Sequence, residues 1–268
     1  MKTKTRTRRF MIGVGITVAL LYLSLLPVPV QADLLDLTSA GSSGFMTGDT
    51  TGGFFVQIDP RATGSGVIDP FVRISSNDAI EQGYNTSGRP LAFDENSSPI
   101  FTHDLALTSI PIVNILGIDY RQFMLDINQT GVNPYLSLDK LQIYESNTGN
   151  FADPSTNLST LGTLIYSLDG ASVDNYILLN YNLNTGSGSG DMFAYIPDSL
   201  FSGEQFVYLY SLFGTQFGDT PLMGNNDGFE EWAVLTPTPP QVPEPGMLML
   251  FGSGLVSLAF FGRKKFRK

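Results

Sequence analysis

The sequence predicts an all-β fold, an antiparallel β-sandwich of jelly-roll type, between residues 33 and 235. Short apolar runs alternate with period two, which is typical of half-buried strands. The 28 glycines and 16 prolines among 268 residues favour many turns. No segment between residues 33 and 236 keeps a helical period over three turns.

Ten candidate strands follow, each bounded by Gly, Pro, Asn, Asp or Ser. They cover residues 54–58, 71–74, 100–108, 123–127, 138–144, 163–168, 176–183, 192–196, 206–212 and 232–235. Because successive side chains of a strand point to opposite faces, the alternating apolar residues should all face the core. These residues are Phe123, Leu125, Ile127, Ile177, Leu179, Tyr181 and Leu183. The chain shows no repeat at a fixed spacing, which argues against a solenoid or a propeller.

Residues 1–32 have the three parts of a secretory signal peptide. Five basic residues and no acid lead into an apolar run over residues 10–26, which Pro27 and Pro29 end. Val30 and Ala32 occupy the two positions that a signal peptidase reads, so cleavage is expected between Ala32 and Asp33. The pattern favours the general secretory route. An uncleaved N-terminal anchor is the alternative, because 17 apolar residues approach a membrane-spanning length.

The C-terminal residues predict a linker, a membrane span and a basic tail. Residues 236–245 are Pro-rich and form an extended linker. Residues 246–262 carry no charge, and as a transmembrane helix they would extend about 25 Å, a little less than the ~30 Å hydrocarbon core. Residues 263–268 carry five basic side chains, which places this tail in the cytoplasm by the positive-inside rule.

This tail resembles the PEP-CTERM sorting signal. The matching residues are the Pro-Glu-Pro-Gly motif and the basic cluster that follows the apolar span: Pro243, Glu244, Pro245, Gly246, Arg263, Lys264 and Lys265. The resemblance implies processing by an exosortase, a transpeptidase-like membrane enzyme of Gram-negative bacteria that also make extracellular polysaccharide. In that case the chain would first be anchored in the membrane. Cleavage near residues 243–245 would then release the domain to the cell surface or the medium.

Charge and composition exclude several classes of function. Residues 33–241 hold 24 acids and five basic residues, a net charge of −19 that repels the phosphate backbone of nucleic acids. The chain has no cysteine, so it has neither disulfides nor thiolate metal ligands. Its one histidine, His103, excludes a two-histidine zinc site.

The sequence gives only weak signals for catalytic residues, and no enzymatic activity is predicted. A serine–histidine–aspartate triad would have to use His103, and the sequence has no G-x-S-x-G motif. A glycoside hydrolase needs two carboxyl groups that face each other. Glu230 and Glu231 are adjacent, so on a strand they point to opposite faces.

One segment could bind calcium, although no cofactor is otherwise implied. Asn225, Asp227, Glu230 and Glu231 supply the oxygen ligands that Ca²⁺ prefers, but their spacing departs from that of an EF-hand. The alternative is a turn that leads into the last strand. A Gly-rich loop at residues 184–190 is not expected to hold phosphate, because Asp191 and a strand-like run follow it instead of a helix.

Together these features predict an exported cell-surface or extracellular-matrix protein with a structural or interaction role, whose partners are signal peptidase, exosortase and extracellular polysaccharide. A carbohydrate-binding module is the first alternative, since exposed tyrosines such as Tyr208 and Tyr210 would stack against sugars. A secreted glycan hydrolase is the second.

Overall fold

The computed structural model describes residues 31–46, 52–58, 67–151, 157–170, 173–186, 188–216, 218 and 222–236. The chain divides into two units after Thr236, and the second unit, residues 237–268, lies outside the described residues. The predicted signal peptide up to Val30 also lies outside them, as do the transmembrane helix and the basic tail.

The prediction of an all-β fold is confirmed. The strands of the described residues are β1 (Gln31–Asp36), β2 (Ser43–Phe45), β3 (Phe54–Gln57), β4 (Ile68–Ile74), β5 (Glu81–Tyr84), β6 (Leu105–Ala106), β7 (Ile112–Ile115), β8 (Ile118–Asp126), β9 (Tyr135–Ser146), β10 (Thr163–Ser167), β11 (Val173–Asn180), β12 (Met192–Pro197), β13 (Phe206–Phe213) and β14 (Glu230–Leu235). Helical structure in these residues is limited to 3-10 turns at Leu107–Ser109, Leu158–Leu161, Tyr181–Leu183 and Asp198–Leu200.

The strands form two sheets, which we call the first sheet and the second sheet. The first sheet has the order β1-β11-β9-β13-β5, with β10 also paired to β9 and β6 to β13. The second has the order β2-β3-β12-β8-β14-β4, with β7 paired to β8. Among the described strands every pairing is antiparallel except that of β1 with β11, which is parallel.

The core lies between the two sheets and contains the apolar side chains that were predicted to face inward from the period-two pattern. Phe123, Leu125 and Ile127 of the β8 segment are fully buried, as predicted. Trp232 of β14 is fully buried as well, and its indole Nε1 donates a hydrogen bond of 3.1 Å to Ser211 Oγ of β13. Because β14 and β13 belong to different sheets, this bond joins the sheets across the core.

Loops cover the outer face of the first sheet. Tyr84, Tyr144, Tyr208 and Tyr210 form a second buried cluster there. Phe93 and Phe151, which lie in the covering loops, pack against Tyr210 and Tyr208 with ring centroids 6.0 and 5.0 Å apart.

The structure corrects several predicted strands. The predicted strand 100–108 is wrong over most of its length, because only Leu105–Ala106 pairs with β13. Tyr181 and Leu183 lie in a 3-10 turn after β11, so the alternation stops at Asn180. The sequence analysis missed four strands, which are short or begin with polar residues: β1, β2, β5 and β7.

Candidate functional site

The described residues contain only the end of the predicted signal-cleavage region. Ala32 and Asp33 lie in β1, where their partners on β11 are Asp174 and Asn175. Cleavage between them would leave residues 33–36 paired in the sheet. Among the residues that the structure describes, no helix has the length and apolarity to cross a membrane.

The predicted calcium segment lines a polar cleft of about 220 Å³, between residues 75–77 and 225–228. Asn225 is buried and uses its amide to fasten the two walls: Nδ2 donates to the carbonyl oxygens of Ser76 (3.0 Å) and Asp78 (3.1 Å). Asp227 lies on the exposed rim of the cleft. The cleft therefore offers amide and hydroxyl groups with one exposed carboxylate.

Glu230 and Glu231 contact different partners, consistent with their opposite directions on β14. Glu230 is fully buried, and its Oε1 accepts a hydrogen bond of 3.0 Å from Gln129 Nε2. Glu231 accepts a hydrogen bond of 2.6 Å from Arg73 Nε on the neighbouring strand β4. Burial raises the pKa of Glu231, and the charge of Arg73 opposes this shift.

Two of the four predicted ligands are brought together, because Gln129 Nε2 donates to both Asn225 Oδ1 (3.5 Å) and Glu230 Oε1 (3.0 Å). Glu231 is paired with Arg73 instead, and Asp227 lies on the exposed rim. Within the described ranges, no group of three or more histidine, aspartate or glutamate side chains is placed to hold a metal ion. Calcium binding at Asp227 stays a prediction.

Arg73 is held between two aromatic rings, a contact that the sequence analysis missed. Its guanidinium carbon lies 3.5 Å from the ring centroid of Phe101 and 3.9 Å from that of Phe229. Cation–π attraction on both faces and the ion pair with Glu231 fix the start of β14 against β4. Residues 229 and 231 therefore hold β14 against β4 through their contacts with Arg73.

The Gly-rich loop holds a carboxylate of its own chain. The backbone N–H groups of Gly188 and Gly190 donate to the two carboxylate oxygens of Asp126, at 2.6 and 3.1 Å. Burial raises the pKa of Asp126, and these backbone hydrogen bonds act against the shift. The amides that could have cradled a phosphate are therefore occupied by Asp126.

The Asp104 carboxylate binds groups other than the neighbouring His103 side chain. The Asp104 carboxylate accepts hydrogen bonds from Ser87 N, Asn150 N and the Tyr208 hydroxyl. The Nδ1 atom of His103 is buried without a hydrogen-bond partner among the described residues. Asp104 instead ties two loops to the outer face of the first sheet.

The interpretation of Tyr208 and Tyr210 as sugar-stacking residues is wrong. Their exposed fractions are 0% and 5%, because the loops described above cover them. Their hydroxyl groups bond to protein atoms, Tyr208 to Thr148 O and Tyr210 to Gln82 Oε1.

A different set of aromatic side chains lies on the outer face of the second sheet. We call Phe45, Phe54 and Tyr195 the aromatic row: Phe45 pairs with Phe54 across β2 and β3, and Phe54 pairs with Tyr195 across β3 and β12. The ring centroids are 4.8 Å apart in the first pair and 6.2 Å apart in the second. Phe45 is 60% exposed, and the other two are partly exposed. At the inner end, Gln122 Nε2 donates a hydrogen bond of 2.9 Å to the Tyr195 hydroxyl.

Comparison with known families bears on the C-terminal tail. A sequence model of the PEP-CTERM protein-sorting motif matches residues 241–265. The chain carries a PEP-CTERM sorting motif. The match includes Pro243, Glu244, Pro245 and Gly246 and, at its end, Arg263, Lys264 and Lys265. The PEP-CTERM motif marks the chain as an exosortase-sorted protein that is exported to the cell surface or beyond. No curated protein and no solved structure matches the chain.

Proposed function

We propose that this chain is a structural or interaction protein of the cell surface or extracellular matrix, without an enzymatic activity of its own. Signal peptidase and exosortase would process its two ends, and its membrane anchoring would be transient. The sorting motif at residues 241–265 supports the destination. Extracellular polysaccharide is the proposed partner class, in keeping with an acidic domain that repels nucleic acid.

The observation that carries the structural role is the use of the buried acids. Asp126 holds the Gly-rich loop, and Glu95 accepts hydrogen bonds from the backbone N–H groups of Tyr84 (3.0 Å) and Phe93 (2.8 Å). Glu145 accepts from both the backbone N–H and the hydroxyl of Ser202. Buried acids with such partners fasten loops to sheets, whereas a glycoside hydrolase directs two carboxyl groups at a substrate.

A carbohydrate-binding module is the second candidate function. The partial exposure of Phe45, Phe54 and Tyr195 favours it over a hydrolase, because these side chains can contact a ligand without any catalytic group.

The sorting half of the proposal is tested by fractionating native cells that express the wild-type chain or Glu244→Ala. Wild type should reach the cell surface or medium without its basic tail, whereas Glu244→Ala should accumulate in the inner membrane with the tail attached. Pro240→Ala, just before the matched residues, is the matched control and should behave as wild type. Surface delivery of Glu244→Ala would contradict the proposal.

The non-enzymatic half needs a separate measurement. The purified chain should release no more reducing sugar from polysaccharides than a heat-denatured sample does. Release above that background would contradict the proposed role and favour the hydrolase.

A further inference from the structure

We propose that the hairpin formed by β7 and β8 binds the surface of the lipid bilayer while the chain is anchored by its C-terminal segment. The assignment rests on the transient anchoring proposed above. The binding part is the hairpin tip, which we define as Val113, Ile115, Leu116 and Ile118.

The hairpin tip is an exposed apolar surface. Leu116 is 100% exposed and Ile118 is 53% exposed, and the other two side chains are partly exposed. A single exposed apolar side chain is ordinary on a protein surface, whereas several that adjoin one another mark an interaction site.

The two faces of the hairpin differ in polarity. Ile115 is paired with Ile118 across the two strands, so both side chains point to one face, and Val113 points the same way because it lies two residues before Ile115. The next pair, Asn114 with Asp119, points to the opposite face, where Asn114 Nδ2 donates a hydrogen bond of 2.6 Å to Asp119 Oδ1. The hairpin is therefore amphipathic, as is typical of segments that lie in a membrane interface.

The turn places an apolar side chain where the backbone favours a different residue. Leu116 and Gly117 are the two central residues of the turn, and both have a positive φ, of 51° and 89°. Asparagine and glycine are preferred at such positions, and a leucine in the left-handed region costs conformational energy. Leu116 thus combines a strained backbone with a side chain that is not buried within the described fold.

The chain leaves the second sheet toward the end at which the tip protrudes. β14 runs antiparallel to β8, with Ala233 opposite Met124, so its last residue, Leu235, lies toward the beginning of β8. That beginning is Ile118, at the tip. The last residue of β8 that pairs with β12 is Tyr120, so the tip also extends beyond the end of β12.

The length of the chain after β14 allows the tip and the anchor to reach one membrane. Continuing the register places Leu235 level with residue 122, so the turn at residue 117 extends about five residues further, roughly 17 Å. The Pro-rich residues 236–245 can extend up to about 31 Å before the predicted membrane span begins at residue 246. Since this linker is longer than the protrusion of the tip, a membrane that touches the tip is within reach of the anchor.

Anchoring also explains why a small apolar surface suffices. Residues 33–241 have a net charge of −19, which opposes approach to an anionic lipid surface, but none of the four tip side chains is charged. An anchor in the same membrane makes the contact intramolecular, and short linkers give effective concentrations in the millimolar range. A weak affinity then holds the domain at the membrane, and cleavage near residues 243–245 removes this advantage and releases the domain.

The test uses the full chain with a single fluorophore, which is simple to place because the sequence has no cysteine. Ile118→Cys carries an NBD label at the tip. Val132→Cys carries it at a side chain that is 88% exposed in the loop after the other end of β8. Each chain is reconstituted into phosphatidylcholine vesicles that contain doxyl-labelled phosphatidylcholine. The doxyl lipid should quench the tip label, whereas the control label should be quenched only by iodide in the water.

The substitution Leu116→Asn separates lipid contact from folding. Asparagine tolerates the left-handed backbone, so the variant should keep at least the wild-type melting temperature. In the Ile118→Cys chain it should lower the ratio of lipid-bound to free tips about tenfold, because burial of a leucine side chain contributes at least this factor. Leu222→Asn, which replaces a leucine that is 43% exposed outside the hairpin, should leave the quenching unchanged.

Three results would overturn the assignment. The tip label is quenched by iodide and not by doxyl lipid, Leu116→Asn leaves the doxyl quenching unchanged, or neither quencher reaches the tip because a second copy of the chain covers it. Flotation of the vesicles in a density gradient separates these results from a failure of the anchor. A chain that floats with an unquenched tip contradicts the hairpin contact alone, whereas a chain that does not float contradicts the anchoring and the contact together.

Discussion

Between pH 5 and pH 8, the ionisation of Glu81 should lower the free energy of unfolding by roughly 3–4 kcal/mol. We expect the substitution Glu81→Gln to abolish this part of the pH dependence. Glu81 is fully buried at the start of β5, where Oε2 accepts a hydrogen bond from Ser76 N. Burial raises the pKa of Glu81 from 4.5 to about 8, against the effect of that hydrogen bond.

The sign of the effect follows from proton binding. Because the pKa is raised on folding, the folded state keeps a proton that the unfolded state releases above pH 4.5. The contribution to stability is therefore fully present below the unfolded pKa and is lost as the pH rises toward 8. The slope is about 1.4 kcal/mol per pH unit within this window. Glutamine does not titrate, so this part of the slope disappears in the variant.

Urea unfolding at several pH values measures the effect, with the fluorescence of Trp232, the single tryptophan, as the probe. Glu81 Oε1 is buried without a partner among the described residues, so the glutamine amide adds a cost that does not depend on pH. The pH slope, not the absolute stability, is therefore the quantity to compare. Glu204→Gln, at a partly exposed site, should keep the wild-type slope. Parallel curves for wild type and Glu81→Gln would refute the reasoning.

Three further predictions concern the ends, the cleft and the Gly-rich loop. Intact-mass analysis of protein from its native host should give a chain that starts at Asp33 and ends near residues 242–245; retention of either terminus would contradict the corresponding cleavage. Millimolar CaCl₂ should raise the melting temperature by roughly 5–10 °C relative to NaCl of equal ionic strength, and Asp227→Ala should abolish the difference; equal shifts in both salts would show only charge screening. Gly190→Ala should destabilise the fold by about 1–3 kcal/mol in urea unfolding, because Gly190 has a φ of 63° and an added Cβ would lie 2.9 Å from Met124 Sδ; an unchanged midpoint would contradict this.

Features encoded locally in the sequence were predictable. The sorting motif is a contiguous stretch, and the alternation at Phe123, Leu125 and Ile127 reports directly that one strand face is buried. Strand β5 was missed because it begins with Glu81, and a glutamate gives no sign of burial until its partner Ser76 is in place.

The aromatic row and the contacts of Asp126 depend on which strands become neighbours. Phe54 and Tyr195 both fall in predicted strands, but β3 and β12 are far apart in sequence, and alternation within a strand carries no information on register between strands. The sequence argued against a phosphate in the Gly-rich loop, but it gave no sign that Asp126 of another strand accepts hydrogen bonds from the loop amides, because that contact requires the fold.

The place of β14 has a consequence for the timing of export. β14 is the last described strand in the chain, yet it lies between β8 and β4 inside the second sheet. If the chain were exported with its N-terminus first, β14 would be delivered after all other described strands, and β8 and β4 would stay unjoined until then. The sorting motif begins at residue 241 and β14 ends at Leu235. The segment that exosortase recognises is therefore separated by only five residues from the strand that completes the second sheet.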